Sequence, residues 1–294
     1  MKTKIDHFLN SLDRSPRTIF AYRNALEQYI KAVGEDAELN TDTYIKFLVT
    51  LKDKSSATQR LYTTAVLKFY LFCKAGNWAE LKDATSHYTK KSAQRAVYFN
   101  REAVEKMISY CESLHEGLLD LRDRAFLLTL VDTGLRISEA CSLKRGDIDW
   151  QHQLAFMIAS GNKRTIARCS KRSIQALNEY LYTRESVGLK ALTPISSEPV
   201  FARHDIRASK RVRPIAVGGM WKALKDRMTE AGVDRRSLRT HDFRHYFVTK
   251  TYLAKRDLKL SQELARHESI ATTMRYTHLG SEADADYDDI FNKK

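Results

Sequence analysis

Three short stretches hold the residues best suited to phosphate chemistry. The first, "THDFRHYFVTK" at residues 240–250, packs two histidines and an arginine into six positions. With Thr240 as N-cap, His241 and Arg244 stand three apart on one helix face, in the first turn. Free N–H groups and the dipole favour an anion there, so two basic side chains oppose the dipole unless a phosphate is bound. A solvated basic turn fits the same residues. The second, "TGLRISEACSLKRGDID" at 133–149, sets Arg136 among Leu135, Ile137 and Ala140. A guanidinium in apolar surroundings needs a partner. Its planar fork suits two phosphate oxygens, and Glu139 is spaced to orient it. A purely structural Arg136–Glu139 pair fits as well. The third, "LARHESIATTMRYTHLG" at 264–280, ends one short helix at His267 and caps another at Ser269. Tyr276 stands near that helix's end, to be presented into a cleft or simply to pack.

The surrounding chain must bring these pieces together. Its 294 residues suit two modest domains, and 43% hydrophobic content supports real cores. The formal net charge of +14, spread along the chain, points to a polyanionic partner, most often nucleic acid. Cys73, Cys111, Cys141 and Cys169 show no zinc spacing and read as buried apolar residues in a reducing compartment. The start lacks a signal-peptide core, and no apolar run approaches the roughly 20 residues that a bilayer needs. A cytoplasmic protein without membrane contact is expected.

Most segments carry a helical apolar period. Ser15 and Pro16 open a helix whose stripe is Ile19, Tyr22, Leu26, Tyr29 and Ile30, with Gly34 as its stop. Thr41 and either Ser55 or Ser56 are spaced to cap two more, the last stopped by Gly76. A first helix near 3–12 completes a bundle of about four, residues 1–83. Residues 84–97 are polar, basic and non-periodic and read as an interdomain linker. Asn100 opens a second domain, 98–280, in which Gly134 closes a strongly apolar helix. "LAFMIAS" and "TIARCS" flank a turn and predict a small β-hairpin. The fold class expected is mainly α with a small hairpin or sheet in the C-terminal domain. Residues 281–294 form a tail in which Tyr287, Ile290 and Phe291 are apolar among acidic residues.

"TGLRISE", "HDFRH" and "ARHESIATTMRYTH", in that order, resemble the tyrosine site-specific recombinases, the phage-integrase and Xer-type family. "SPRTIFAYRNALEQYI" is similar to the family's SAM-like core-binding domain, so the resemblance spans nearly the whole chain. It implies Arg136 and Arg244 as the two arginines, His241 and His267 as the histidines, Tyr276 as the nucleophile, and Glu139 as the acidic neighbour of the first arginine. The family's hairpin lysine corresponds to Lys163, with Arg164 as the fallback, because Ser160 stands where the lysine is common. Arg266 stands where the family commonly has glycine.

The implied reaction is phosphoryl transfer without a metal or ATP. The sequence has no carboxylate cluster of the Mg²⁺-holding kind and no GxxxxGKS/T pattern, so no cofactor is expected. Arg136 and Arg244 would clamp the non-bridging oxygens, and Tyr276 would form a 3′-phosphotyrosyl link. Lys163 would protonate the leaving 5′-hydroxyl, His241 would act as base and His267 would bond the phosphate. The implied partners are double-stranded DNA at a specific site and a homo-tetramer on two sites exchanging C-terminal tails. Lys90, Lys91 and Arg95 are candidates for phosphate contacts. A partner recombinase or accessory factor stays open. A topoisomerase with the same tyrosine and a silent DNA-binding regulator are the alternatives.

Overall fold

Serine and asparagine side chains set most helix starts. In the computed structural model, residues 1–89, 98–159, 163–208 and 210–275 are described. Two compact units, Met1–Gln94 and Arg95–Lys294, divide the chain.

The first unit contains α1 (Lys2–Asn10), α2 (Pro16–Val33), α3 (Thr41–Thr50), α4 (Ser56–Phe72) and α5 (Trp78–Tyr88). Ser15 Oγ accepts from the Thr18 N–H with Pro16 at the first helical position, as the sequence predicts. Asn40 rather than Thr41 caps α3, because Asn40 Oδ1 and the Thr43 hydroxyl close a reciprocal capping box. Ser55 caps α4, which ends at Phe72, before Gly76. Leu26, Tyr29, Tyr44, Phe47, Phe69 and Tyr70 fill the core.

Residues 84–88, expected as the start of the linker, instead finish α5, so the unit holds a fifth helix. The physical reason is side-chain burial on one face. Leu81 and Ala84 are buried, and the Tyr44 hydroxyl bonds Thr85 Oγ1 at 2.7 Å. Polar composition hid a stripe of only a few residues.

Among its described residues, the second unit is mainly helical, with one small sheet and isolated β-bridges. Its helices are α6 (Arg101–Glu112), α7 (Leu118–Thr133), α8 (Ile137–Ser142), α9 (Lys171–Ser186), α10 (Val217–Glu230), α11 (Asp242–Lys255), α12 (Leu258–Ala265) and α13 (Ile270–Met274). Buried on almost every side, α7 packs against α6, α9, α10 and α11. Its buried charges are all partnered. Arg122 bonds Asp123 at 2.7 Å, Asp123 meets Arg227 at 2.9 Å, and Arg124 meets Glu179. Such pairing is what makes a charged core helix tolerable.

The sheet has antiparallel order β1 (Ile148–Asp149), β2 (Leu154–Ala159) and β3 (Lys163–Arg168). The expected hairpin is β2–β3, with Phe156 opposite Ile166 and Ala159 opposite Lys163, and β1 adds a third strand. Ala155 and Met157 face inward while Phe156 and Ile158 face out, the two-residue alternation of a half-buried strand. Among the described residues, no helix is long and apolar enough to cross a membrane.

Candidate active site

Gly134 is the hinge on which the site is built. At the C-terminus of α7 it takes a left-handed conformation, φ 63° and ψ 21°, and its N–H returns to the Leu130 carbonyl at 3.0 Å. The chain then reverses and delivers Arg136 to the start of α8. The Arg136 N–H donates to Glu139 Oε2 at 2.8 Å and Arg136 Nη1 to Glu139 Oε1 at 2.7 Å. Glu139 is buried, whereas the Arg136 side chain keeps 40% of its surface exposed. The apolar setting inferred from its neighbours is therefore corrected: the guanidinium is held at one edge and open on the other.

Arg244 arrives from α11 and is 5% exposed. Its Nη1 donates to the Gly134 carbonyl at 2.6 Å and its Nη2 to the Ala265 carbonyl. One guanidinium thus ties the α7–α8 turn to the end of α12. Arg244 lies in the first turn of α11, as expected, but the cap differs. His241, not Thr240, is the N-cap residue, with no side-chain cap, and Asp242 Oδ2 accepts from the Arg239 N–H at 2.7 Å. An acidic residue at the helix start already complements the dipole.

His267 follows α12 directly. Its Nδ1 meets the buried Thr273 hydroxyl of α13 at 2.9 Å. Where that hydroxyl donates to Nδ1, the imidazole carries its proton on Nε2 and can donate to a phosphate oxygen. Burial lowers the His267 pKa to about 4, helped by the charges of Arg244, Arg136, Arg266 and His245. His241 is lowered by burial and then by Arg136 and Arg244. His245 drops to about 4 through burial and then through His241 and nearby arginines. Each histidine feels the arginines, so Arg136, His241, Arg244 and His267 form one electropositive cluster drawn from three distant segments. Both proposed-site histidines are neutral at pH 7, the form that can accept or donate a proton.

Three residues enter that the motif reading left without a role. His245 lies one turn after His241, with ring centroids 6.4 Å apart, and the Phe99 ring centroid lies 6.2 Å from that of His245. Thr273 holds His267. Arg266 packs beside the cluster. The repeated threonines of "ATTMR" were the available signal for Thr273, but only burial separates it from Thr272.

Lys163 opens β3, while its side chain lies outside the described residues. Tyr276, the tail 281–294, and Lys90, Lys91 and Arg95 of the expected linker also lie outside them. Arg164, opposite Ile158, is exposed.

The depressed histidines set an acid limit on stability. His204, also in this unit, joins His245 and His267 at about 4, against an ordinary 6.5. The folded pKa lies below the unfolded one, so the unfolded chain takes up more protons between those values. Stability is complete above about pH 6.5 and falls with pH through that window, by ~1.4 kcal/mol per pH unit for each histidine. Urea unfolding at pH 7 and pH 5 should show a clearly lower midpoint at pH 5. Equal midpoints would contradict the buried, neutral assignment.

Residues 97–282 match the Phage integrase family. The chain is 28% identical to tyrosine recombinase XerC of Herpetosiphon aurantiacus, over 98% of this chain and 94% of that protein. It is 28% identical to tyrosine recombinase XerD of Listeria innocua, over 95% of each. In fold it is similar to the XerH site-specific recombinase bound to palindromic difH substrate in a post-cleavage complex. That match has a TM-score of 0.69 and 21% identity, and covers 94% of this chain and 80% of that one. A lambda integrase dimer bound to a core site matches with a TM-score of 0.63 and 16% identity, over 94% of each chain.

Proposed function

The chain belongs to the phage integrase family, the tyrosine site-specific recombinases, and from that premise we propose that Tyr276 is its nucleophile and that Arg136 and Arg244 hold the scissile phosphate. Its activity is site-specific DNA recombination by cleavage and rejoining of strands.

The observation that carries the assignment of roles is the convergence of Arg136, His241, Arg244 and His267 on one electropositive cluster. Arg136 presents an open edge while Glu139 fixes its other side. Arg244 is pre-set by two backbone carbonyls, so little reorganisation is needed as charge develops on the phosphate. His267 donates to a non-bridging oxygen. Neutral His241 takes the proton from Tyr276 as the phenolate attacks phosphorus. The P–O5′ bond breaks, Lys163 protonates the departing oxygen, and a 3′-phosphotyrosyl link remains. Attack on that link by another strand's 5′-hydroxyl reverses the bond changes and needs no external energy source.

Tyr276 directly follows Arg275, the residue that ends α13. The short α13 is tied to His267 through Thr273, which supports a common placement of nucleophile and phosphate donor. The first unit serves as a core-binding domain that closes on cytoplasmic duplex DNA, and Lys90, Lys91 and Arg95 meet phosphates. Four protomers act on two sites, with residues 281–294 passed to a neighbour. The net charge of +14 supports this clamp.

The test uses duplex DNA from the flank of the protein's own gene, nicked so that the short 5′-hydroxyl fragment diffuses away. A denaturing gel should show a protein–DNA adduct, and digestion should map the attached nucleotide to Tyr276. Attachment at Tyr287 would overturn the nucleophile. Tight binding with no adduct would favour the silent regulator.

A further inference from the structure

Arg266 occupies a backbone position that disfavours it. It ends α12 at φ 56° and ψ 43°, in the left-handed region. Its own N–H bonds the Glu263 carbonyl at 3.0 Å, and the His267 N–H bonds the Gln262 carbonyl at 3.0 Å. This nested pair is the helix ending that glycine usually serves. A side chain retained there against backbone preference needs a compensating role.

Its contacts repeat those of Arg244, one residue earlier on each strand of the turn. Arg244 bridges the carbonyls of Gly134 and Ala265. Arg266 Nη1 bridges the carbonyls of Thr133 at 3.1 Å and Leu264 at 3.2 Å. Two guanidiniums therefore span the same pair of turns in parallel. One turn leads into Arg136 and the other into His267. Arg266 Nη2 is buried and makes no hydrogen bond, so the charge is only partly satisfied. Burial lowers the Arg266 pKa, Glu139 supports the charge and Arg136 opposes it.

We propose that Arg266 is a positioning residue of the recombinase site, a second bridge that locks the His267 turn onto the Arg136 turn. It touches no reacting atom in this role. It fixes the distance between two groups that must meet one phosphate, and its charge adds to the field that an entering phosphate neutralises. The inference rests on the functional reading above for its consequence in catalysis, and on the bridge alone for its consequence in the free protein.

The test compares the full-length wild type with Arg266→Gly and Arg266→Lys. Glycine suits the left-handed backbone, so that variant folds while losing the bridge. Lysine keeps the charge without the fork. In the free protein, Arg266→Gly should raise hydrogen exchange about tenfold in peptides covering 133–136 and 264–267, and leave residues 1–88 unchanged. Arg266, Arg244, Arg136 and His245 all face the His267 ring, so its titration midpoint, read by NMR, should rise in Arg266→Gly, which removes one of these charges, and stay in Arg266→Lys, which keeps it. With nicked DNA, the adduct rate at saturating protein should fall about tenfold or more in Arg266→Gly while DNA affinity holds, with partial recovery in Arg266→Lys. Exchange, titration and cleavage all equal to wild type would overturn the proposal. Loss of cleavage with unchanged exchange and titration would overturn it too, and assign Arg266 to direct phosphate contact. A wild type that forms no adduct fails the recombinase reading instead, and the exchange result still decides the bridge.

Discussion

Arg244→Ala should lower the single-turnover rate of adduct formation by roughly 10³-fold or more, the scale seen when a guanidinium that meets transition-state charge is removed. Two effects combine. In the proposed role the variant loses a cation at the phosphate, and it leaves the Gly134 and Ala265 carbonyls buried without their donor. Each orphaned carbonyl costs about 1–3 kcal/mol, so the variant should also be less stable. Arg244→Lys separates the two. A lysine keeps the charge but gathers its donors on one nitrogen, without the planar fork that meets the two carbonyls separately. It should recover part of the stability while cleavage stays about 10²-fold down, because positioning as well as charge is lost. Adduct kinetics on nicked DNA, paired with urea unfolding, check both. An alanine variant cleaving within about tenfold of wild type would remove Arg244 from the reaction.

Gly134→Ala should be the most destabilising small substitution in the second unit. The backbone at φ 63° disfavours any side chain, and a Cβ would stand 2.4 Å from Phe247 Cδ1. Left-handed strain and overpacking together predict a loss of roughly 2–5 kcal/mol. The damage should reach catalysis as well. Phe247 sits on α11 three residues after Arg244, and the Gly134 carbonyl is an Arg244 acceptor, so displacing either moves the guanidinium. Phe247→Leu should relieve the clash at a cost of its own, making the double variant less unstable than the two single losses summed. Strict additivity in urea unfolding would show that the ring and the glycine are not in conflict.

How much of this was legible beforehand follows from which signals are local. Caps and stops are short-range, so Ser15, Asn100 and Gly134 were readable from residue type and spacing, and so was the β2–β3 hairpin from its apolar alternation. The ordered motifs around Arg136, Arg244 and His267 identified the family, and hence the chemistry, because the residue types a reaction needs are written directly in the chain. Asn40 displaced Thr41 because two caps one residue apart differ only in which closes the box. The end of α5 was missed because Leu81 and Ala84 make too small a stripe to outweigh polar neighbours.

Partnership across long separations was not legible. Arg244 and Gly134 are 110 positions apart, and Arg266 and Thr133 are 133 apart. No local pattern links them, since the hydrogen bonds exist only after α7, α11 and α12 have packed. The sequence alone determined the family and the reaction, and it named the candidates for the reactive groups. The tertiary structure decided that Arg136 is open and Arg244 clamped, that burial among arginines keeps the histidines neutral, and that Arg266 doubles the bridge, because burial, orientation and field are properties of packed surroundings.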